Sequence, residues 1–282
     1  MLRCDIAKHL STHTGKAISY TTVDSRIRNL GLVKERLEAG AKEVPKYNRE
    51  IKLPMDDYLI TVDYHSPYHS ILWHNRSLAV AKKMKLKHLI IGGDLLDFGC
   101  ASSYYADHIP SLEDEADANR DLIKSLIKSF DTITLIKGNH EDRLGRATNG
   151  IITARWLLEL WGKDAMESGR MQYSTYDKLH IGEKWIVVHP KSYNRVSCQV
   201  AKQLAAKWQR NIINAHGHFV GYGYDVSGRN LAIDLGGIFD VDKIEYLNMK
   251  STTHPAWNNG FGALKDGHFY LFDNNTDWSK WE

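Results

Sequence analysis

HLIIGGDLLD, residues 88–97, decides the fold: an apolar run too short for a helix ends in two glycines and a carboxylate, Asp94. Three consecutive apolar residues, Leu89, Ile90 and Ile91, before a Gly-Gly turn read as a buried strand. The same layout recurs on either side of it. YLITVDYH (58–65) ends in Asp63 and His65, TITLIKGNH (132–140) in Asn139 and His140, WIVVH (185–189) in His189, and NIINAHGH (211–218) in His216 and His218. Five apolar strands thus end in groups able to bind a metal. In open α/β sheets, loops at the carboxyl ends of strands converge on one crevice, so these groups are expected to meet.

Between the strands the chain reads as helical. ILWHNRSLAVAKKMK (71–85), SLEDEADANRDLIKSLIKSF (111–130), RATNGIITARWLLELW (146–161) and VSCQVAKQLAAKWQR (196–210) carry apolar residues at helical spacing, and the second has an acidic first turn that suits the helix dipole. LHIGEKWIVVHP (179–190) reads as a turn, a strand and a stop. Residues 231–272 read as mostly β, with GHFYLFD (267–273) a late strand. Alternation first and strands afterwards predict a mixed α/β sandwich. Trp156, Trp161, Trp185 and Trp208 fall in apolar segments and are expected in the core.

The donor set defines the chemistry. Imidazoles, carboxylates and one amide, without a thiolate, suit Mn²⁺, Fe or Zn²⁺ better than Mg²⁺ or Ca²⁺. Seven ligands exceed one tetrahedral site and suffice for two ions sharing a carboxylate, an arrangement that clamps the attacking and departing oxygens of a phosphoryl transfer.

The motifs D-x-H (Asp63, His65), G-D-x-x-D (Gly93, Asp94, Asp97), G-N-H-E (Gly138–Glu141), a lone His after a strand (His189) and H-x-H (His216, His218) stand in that order. In this the chain resembles the calcineurin-like metallophosphoesterase superfamily over residues 57–272. The resemblance implies a four-layer α/β/β/α sandwich. It implies a first metal held by Asp63, His65, Asp94 and His218, and a second by Asp94, Asn139, His189 and His216, with Asp94 bridging. It implies a metal-bridging hydroxide as nucleophile, His140 as the catalytic histidine at the phosphate, and Asp97 as the residue that orients it or merely a turn carboxylate. Two positions depart from the family's frequent glycines, Pro190 after the lone histidine and Ala215 before H-x-H. Tyr68 and His69 follow D-x-H, and Arg143 follows G-N-H-E; these are candidates to contact substrate, against plain packing or a surface ion pair.

The 282-residue chain is 43% hydrophobic and 25% charged, with three widely spaced cysteines, Cys4, Cys100 and Cys198. That excludes a disulfide framework or a thiolate zinc site, and no apolar run is long enough to span a bilayer. The opening MLRCDIAKHLST has charges where a signal peptide would be apolar, so a cytoplasmic location is expected. Net charge is +3, but residues 1–52 hold 11 Lys and Arg against 6 Asp and Glu, a surplus of +5 that leaves −2 for the rest.

Residues 1–45 read as a small all-α module, 46–56 (with Pro45 and Pro54 as punctuation) as a linker, and 57–282 as the catalytic domain. Within the module, TTVDSRIRNLGL (21–32) can serve as the recognition helix of a helix-turn-helix, with Thr22, Arg26 and Asn29 outward toward nucleic acid. The alternative is a helical hairpin that packs on the body. His254, in the T-T-H-P of a late loop, is a further residue that can approach the site. The functional expectation is hydrolysis of a phosphoester, preferably a phosphodiester in DNA or RNA, as by a nuclease. The alternatives are a phosphomonoesterase or small-nucleotide phosphodiesterase, and a DNA-binding regulator whose body has lost catalysis.

Overall fold

The computed structural model describes residues 50–103, 108–244 and 257–281, together with Ser11, Thr12, Ala17 and Ser19. The chain divides into two units, Met1–Arg49 and Glu50–Glu282. Thr22, Arg26, Asn29 and His254 lie outside the described residues.

The second unit is built on two six-stranded sheets. One carries β2 (Tyr58–Thr61), β3 (His88–Ile91), β4 (Thr132–Ile136) and β5 (Met171–Ser174) in parallel, and is completed by β11 (Gly260–Lys265) antiparallel to β2 and β12 (His268–Asp273) antiparallel to β11. The other has the order β1 (Ile51–Leu53), β6 (Lys178–Ile181), β7 (Trp185–Val188), β8 (Asn211–Asn214), β10 (Leu231–Leu235), β9 (Val220–Tyr224). β1 lies in the stretch expected as a linker. Three residues suffice because they pair in parallel with β6 at the sheet edge, Ile51 opposite Leu179, and Glu50 accepts from His180 at 2.9 Å and pairs with Lys178 at 3.1 Å.

The helices are α1 (Ile71–Met84), α2 (Leu112–Ser129), α3 (Glu141–Ala147), α4 (Ala154–Trp161), α5 (Lys163–Glu167) and α6 (Gln199–Trp208). Alternating side chains of each strand then build three apolar layers. Leu89 and Ile91 face the outer core with Trp73 and Val80 of α1 and Leu122, Ile123 and Leu126 of α2. Ile90 between them faces the other way, into a core shared with Val187, Ile213 and Ile233 of the opposite sheet. Ile186 and Val188 face a third cluster with Ala201 and Ala205 of α6. The architecture is therefore helices, sheet, sheet, helix. Each fully buried Ile, Val or Leu contributes about 1.5–3 kcal/mol relative to exposure, which explains why both faces of these strands are apolar.

α2 starts where its sequence says: Ser111 Oγ accepts from Asp114 N at 3.1 Å and Asp114 returns a bond to Ser111 N, a capping box worth about 1 kcal/mol. The long helix expected over 146–161 is two helices. Asn149 (φ 51°) and Gly150 (φ 79°) turn left-handed and stop α3, and Thr153 Oγ1 caps α4 by accepting from Trp156 N. In this offset helix Trp156 is 52% exposed, which corrects its expected core placement, whereas Trp185 is buried. Residues 178–188 form a hairpin of β6 and β7 rather than a turn and one strand. Among the described residues no helix is long and apolar enough to cross a membrane.

Candidate metal centre

Five loops meet at the carboxyl ends of β2, β3, β4, β7 and β8. Three of these strands belong to one sheet and two to the other. The crevice therefore lies between the edges of two packed sheets, and it draws Asp63, His65, Asp94 and Asn139 from one side and His189, His216 and His218 from the other.

The backbone there is unusual. Asp63, His65, Asp94, His216 and His218 all have positive φ, between 48° and 70°. Each such turn costs roughly 1–3 kcal/mol in a residue other than glycine. Hydrogen bonds hold them: Asp63 N donates to Gly93 O (3.1 Å), His65 N to Asp94 O (2.9 Å), and His216 N to Asp63 Oδ2 (3.0 Å). The last bond ties the two sheets together through a ligand. Ala215 and Pro190, where the family often has glycine, need no such backbone. Ala215 has no positive φ and its N–H donates to Val188 O at 3.0 Å, as in a continuing strand.

The ligand atoms fall into overlapping groups. Asp63, His65 and His218 form one, Asp94, His189 and His216 another, and His65, Asp94 and His140 a third between them; within each group the atoms lie within 4.8 Å of one another. The residues fit cations on an observation independent of family. His189 Nδ1 donates to Gly92 O at 3.0 Å, so its Nε2 presents a lone pair. That nitrogen lies 3.1 Å from Asn139 Oδ1 and 3.2 Å from Asp94 Oδ2, an oxygen that is buried without a hydrogen-bond partner. With the imidazole neutral these are three acceptors facing one another, so a positive charge, either a proton on Nε2 or a cation, belongs between them. At the other end His65 Nε2 and His218 Nε2 are 3.0 Å apart, with Asp63 Oδ1 at 3.1 Å from the latter.

The electrostatics agree. Burial pushes the His65 imidazole down, but Asp63, Asp97 and Asp94 raise it to about 10. Burial acts likewise on His189, and Asp94 raises it to about 9. The carboxylates thus favour positive charge at His65 and His189, whereas burial lowers His216 to about 4 and holds His140 and His218 below the ordinary imidazole value.

His140 stands beside the ligands. Its backbone N–H donates to Asp94 Oδ1 at 2.8 Å, which leaves Asp94 Oδ2 for the crevice. Its Nδ1 meets Asp97 Oδ1 at 2.9 Å, and Arg143 Nη2 lies 2.8 Å from its Nε2. Arg143 Nη1 also donates to Asp97 O (3.0 Å) and Oδ2 (3.3 Å), so this arginine is tied to the His140–Asp97 pair rather than to a surface carboxylate.

Glu141, quoted in G-N-H-E without a role, is a buried clasp. Its carboxylate accepts from Asp94 N, Leu96 N and Gly138 N at 2.8–3.1 Å and so joins the β3 and β4 loops. A buried acid directly after two site residues was the available signal. Tyr68 and His69 sit differently from expectation. Tyr68 packs with Phe239, Ile244 and Trp257. The His69 ring meets Tyr64 and His74, at 6.4 and 6.2 Å between centroids, and burial lowers its pKa to about 4. Phe239 in turn meets the rings of His65 and His218, at 6.1 and 4.8 Å between centroids, so Tyr68 adjoins the candidate centre through that ring.

The family model for calcineurin-like phosphoesterases matches residues 58–254. No curated protein matches the chain. Among solved structures, YfcE, a phosphoesterase from E. coli, aligns at 10% identity and a TM-score of 0.41, over 78% of this chain and 93% of its own. Vacuolar protein sorting 29 from Cryptosporidium parvum aligns at 14% and 0.40, over 77% and 95%. With that family model spanning all five strand-end motifs, the chain belongs to the calcineurin-like phosphoesterases and is a metal-dependent phosphoesterase.

Proposed function

We propose that the chain hydrolyses a phosphodiester of a nucleic acid at a pair of divalent transition-metal ions, Mn²⁺ first among them. The observation that carries this reading is the run of three His/Asp groups linked through His65 and Asp94, the middle one of which includes His140. Asp63, His65, Asp94 and His218 would hold one ion, and Asp94, Asn139, His189 and His216 the other. When bound, two such ions supply an acidic water and neutralise charge on the phosphoryl oxygens.

The chain's own groups do the rest. Asp97 keeps His140 oriented through Nδ1, and Nε2, which accepts from Arg143 here, is the nitrogen that turns to the phosphate and the leaving oxygen when Arg143 moves to a phosphate oxygen. Arg143, 2.8 Å from that nitrogen, is placed to share a phosphate oxygen. The preference for a polyanion rests on the +5 surplus of residues 1–52.

A screen with Mn²⁺ tests this: mono- and diester model substrates beside single- and double-stranded DNA and RNA, for the full chain and a chain lacking residues 1–49. Diester turnover is expected, with His140→Ala reducing it at least about 100-fold. Loss of residues 1–49 should weaken action on nucleic acid and spare small esters. Turnover of monoesters alone would replace the reading by a phosphomonoesterase. Absence of metal uptake and of turnover would leave the DNA-binding regulator.

A further inference from the structure

A cavity of about 640 Å³ adjoins the Asn139, His189 and His216 end of the centre. Lys137, Arg146, Tyr176 and Lys191 line it beside the carboxylates of Asp142 and Asp177. Asp142 pairs with Lys137 at 3.3 Å and with Arg146 at 3.7 Å, which leaves Lys191 as the cation of the wall with no ion pair among the described residues. That volume suits a nucleotide-sized ligand. The loop that follows His189 reads P-K-S-Y-N-R, residues 190–195. In it Lys191, Tyr193 and Arg195 alternate, and all three are exposed.

Tyr193 is 48% exposed, yet its ring is held. It meets His216 edge-on at 6.4 Å between centroids and lies at 34° to Phe219, also at 6.4 Å. Both ends of the loop are fastened. His189 N donates to Asp177 O at 2.7 Å, Ser197 Oγ to Val220 O at 3.1 Å, and Cys198 N to Asp234 Oδ2 at 2.6 Å. Gly221 permits this approach, since a Cβ there would stand 2.0 Å from Ser197 Oγ. A half-exposed aromatic ring flanked in sequence by Lys191 and Arg195, on a loop fastened beside the candidate metal centre, has the chemistry of single-strand recognition: bases stack on the ring and phosphates meet the cations.

We propose that Lys191, Tyr193 and Arg195, with the adjoining cavity, form a nucleotide subsite. Tyr193 stacks on the base next to the phosphodiester being cleaved, and Lys191 and Arg195 meet the flanking phosphates. A base inside a duplex has both faces covered by its neighbours, so the subsite selects single strands. This inference rests on the phosphodiesterase reading above and names its substrate class.

The test uses the full chain with Mn²⁺ as wild type, Tyr193→Ala and Tyr193→Phe. Substrates are dT12, rU12, a dT12·dA12 duplex, and methyl p-nitrophenyl phosphate, a diester without a base. Tyr193→Ala is expected to lower the ratio of kcat/KM for the oligonucleotide to that for the small diester by about 5- to 150-fold, the worth of one stacked base. Tyr193→Phe should hold that ratio within about twofold of wild type, since the ring alone stacks. An unchanged ratio in Tyr193→Ala overturns the proposal. So does a fall in Tyr193→Phe as large as in Tyr193→Ala, or equal cleavage of duplex and single strand. Cleavage of either dT12 or rU12 supports it, and the faster of the two identifies the sugar. A second readout needs no turnover: anisotropy of fluorescein-labelled dT6 with EDTA-treated protein, where Tyr193→Ala should raise Kd and an unaltered Kd counts against stacking. If only monoesters are hydrolysed, the diesterase reading falls, and the anisotropy arm still decides on Tyr193.

Discussion

His140 and Asp97 share a short buried hydrogen bond, Nδ1 to Oδ1 at 2.9 Å. The same Oδ1 lies 3.2 Å from His65 Nδ1. One carboxylate therefore orients two imidazoles, for which the proposed function has different duties, one at the phosphate and one in the ligand set. Arg143 grips Asp97 from behind through its backbone and side-chain oxygens, so the whole relay is fixed before any substrate arrives.

Asp97→Asn leaves a side chain of the same shape that can accept at only one oxygen. It is expected to lower kcat about 10- to 100-fold. The loss should grow as the leaving group becomes more basic, because His140 matters most where the departing oxygen needs a proton. Rates across a series of aryl esters measure this, and an equal loss on every ester would assign Asp97 to scaffolding alone.

Metal supply should govern stability as well as turnover. Among the buried Asp63, Asp94, His189 and His218, a cation supplies the carboxylates with a compensating charge and the imidazole lone pairs with a partner. Mn²⁺ at about 100 times its Kd should contribute about 2.7 kcal/mol, which for a unit of this size is roughly 5–10 °C in Tm. Scanning fluorimetry with Mn²⁺ and with EDTA reads the difference. Asp94→Asn, which weakens both ligand groups, should abolish most of it.

The candidate ligands are legible because each ends an apolar run, a pattern that survives without any knowledge of tertiary structure. That they come from two sheets is not, since Asp94 and His189 follow similar strands and nothing local says which sheet a strand joins. The left-handed turns at Asp63 and His218 are hidden too, because neither residue is glycine. One helix over 146–161 does not form: its apolar period is real, but Asn149-Gly150 is a stronger stop than periodicity is a continuation. Tyr193 carries no periodic or motif signal, and only its ring contact with His216 marks it.

Gly138 is required by contact rather than by backbone angle. A Cβ at this position would stand 2.1 Å from Asp94 Oδ1 and 2.4 Å from Asp94 N, atoms of the loop shared by both ligand groups. Gly138→Ala should therefore push Asp94 from its place, cost about 1–3 kcal/mol in stability, and release metal. Metal content after dialysis, compared with urea unfolding, checks both parts. A variant that keeps full metal occupancy would show that the β3 loop yields more easily than its bonds to Glu141 suggest.

Glu115 gives the fold a pH dependence of its own. It is fully buried on α2, accepts from Gly99 N at 2.8 Å, and its second oxygen has no partner among the described residues. Burial, aided by the charge of Asp97, raises its pKa from 4.5 to about 7. The folded state thus holds a proton that the unfolded chain releases near pH 4.5. The associated stability is fully present below that pH and is lost as pH rises through about 7. Glu115→Gln keeps the acceptor for Gly99 and cannot ionise. Relative to wild type it should gain stability between pH 5 and pH 8, on the order of 2–3 kcal/mol. Urea unfolding in EDTA, which removes the separate pH dependence of metal binding, measures the gap; parallel curves for the two proteins would mean that Glu115 finds a compensating donor when charged.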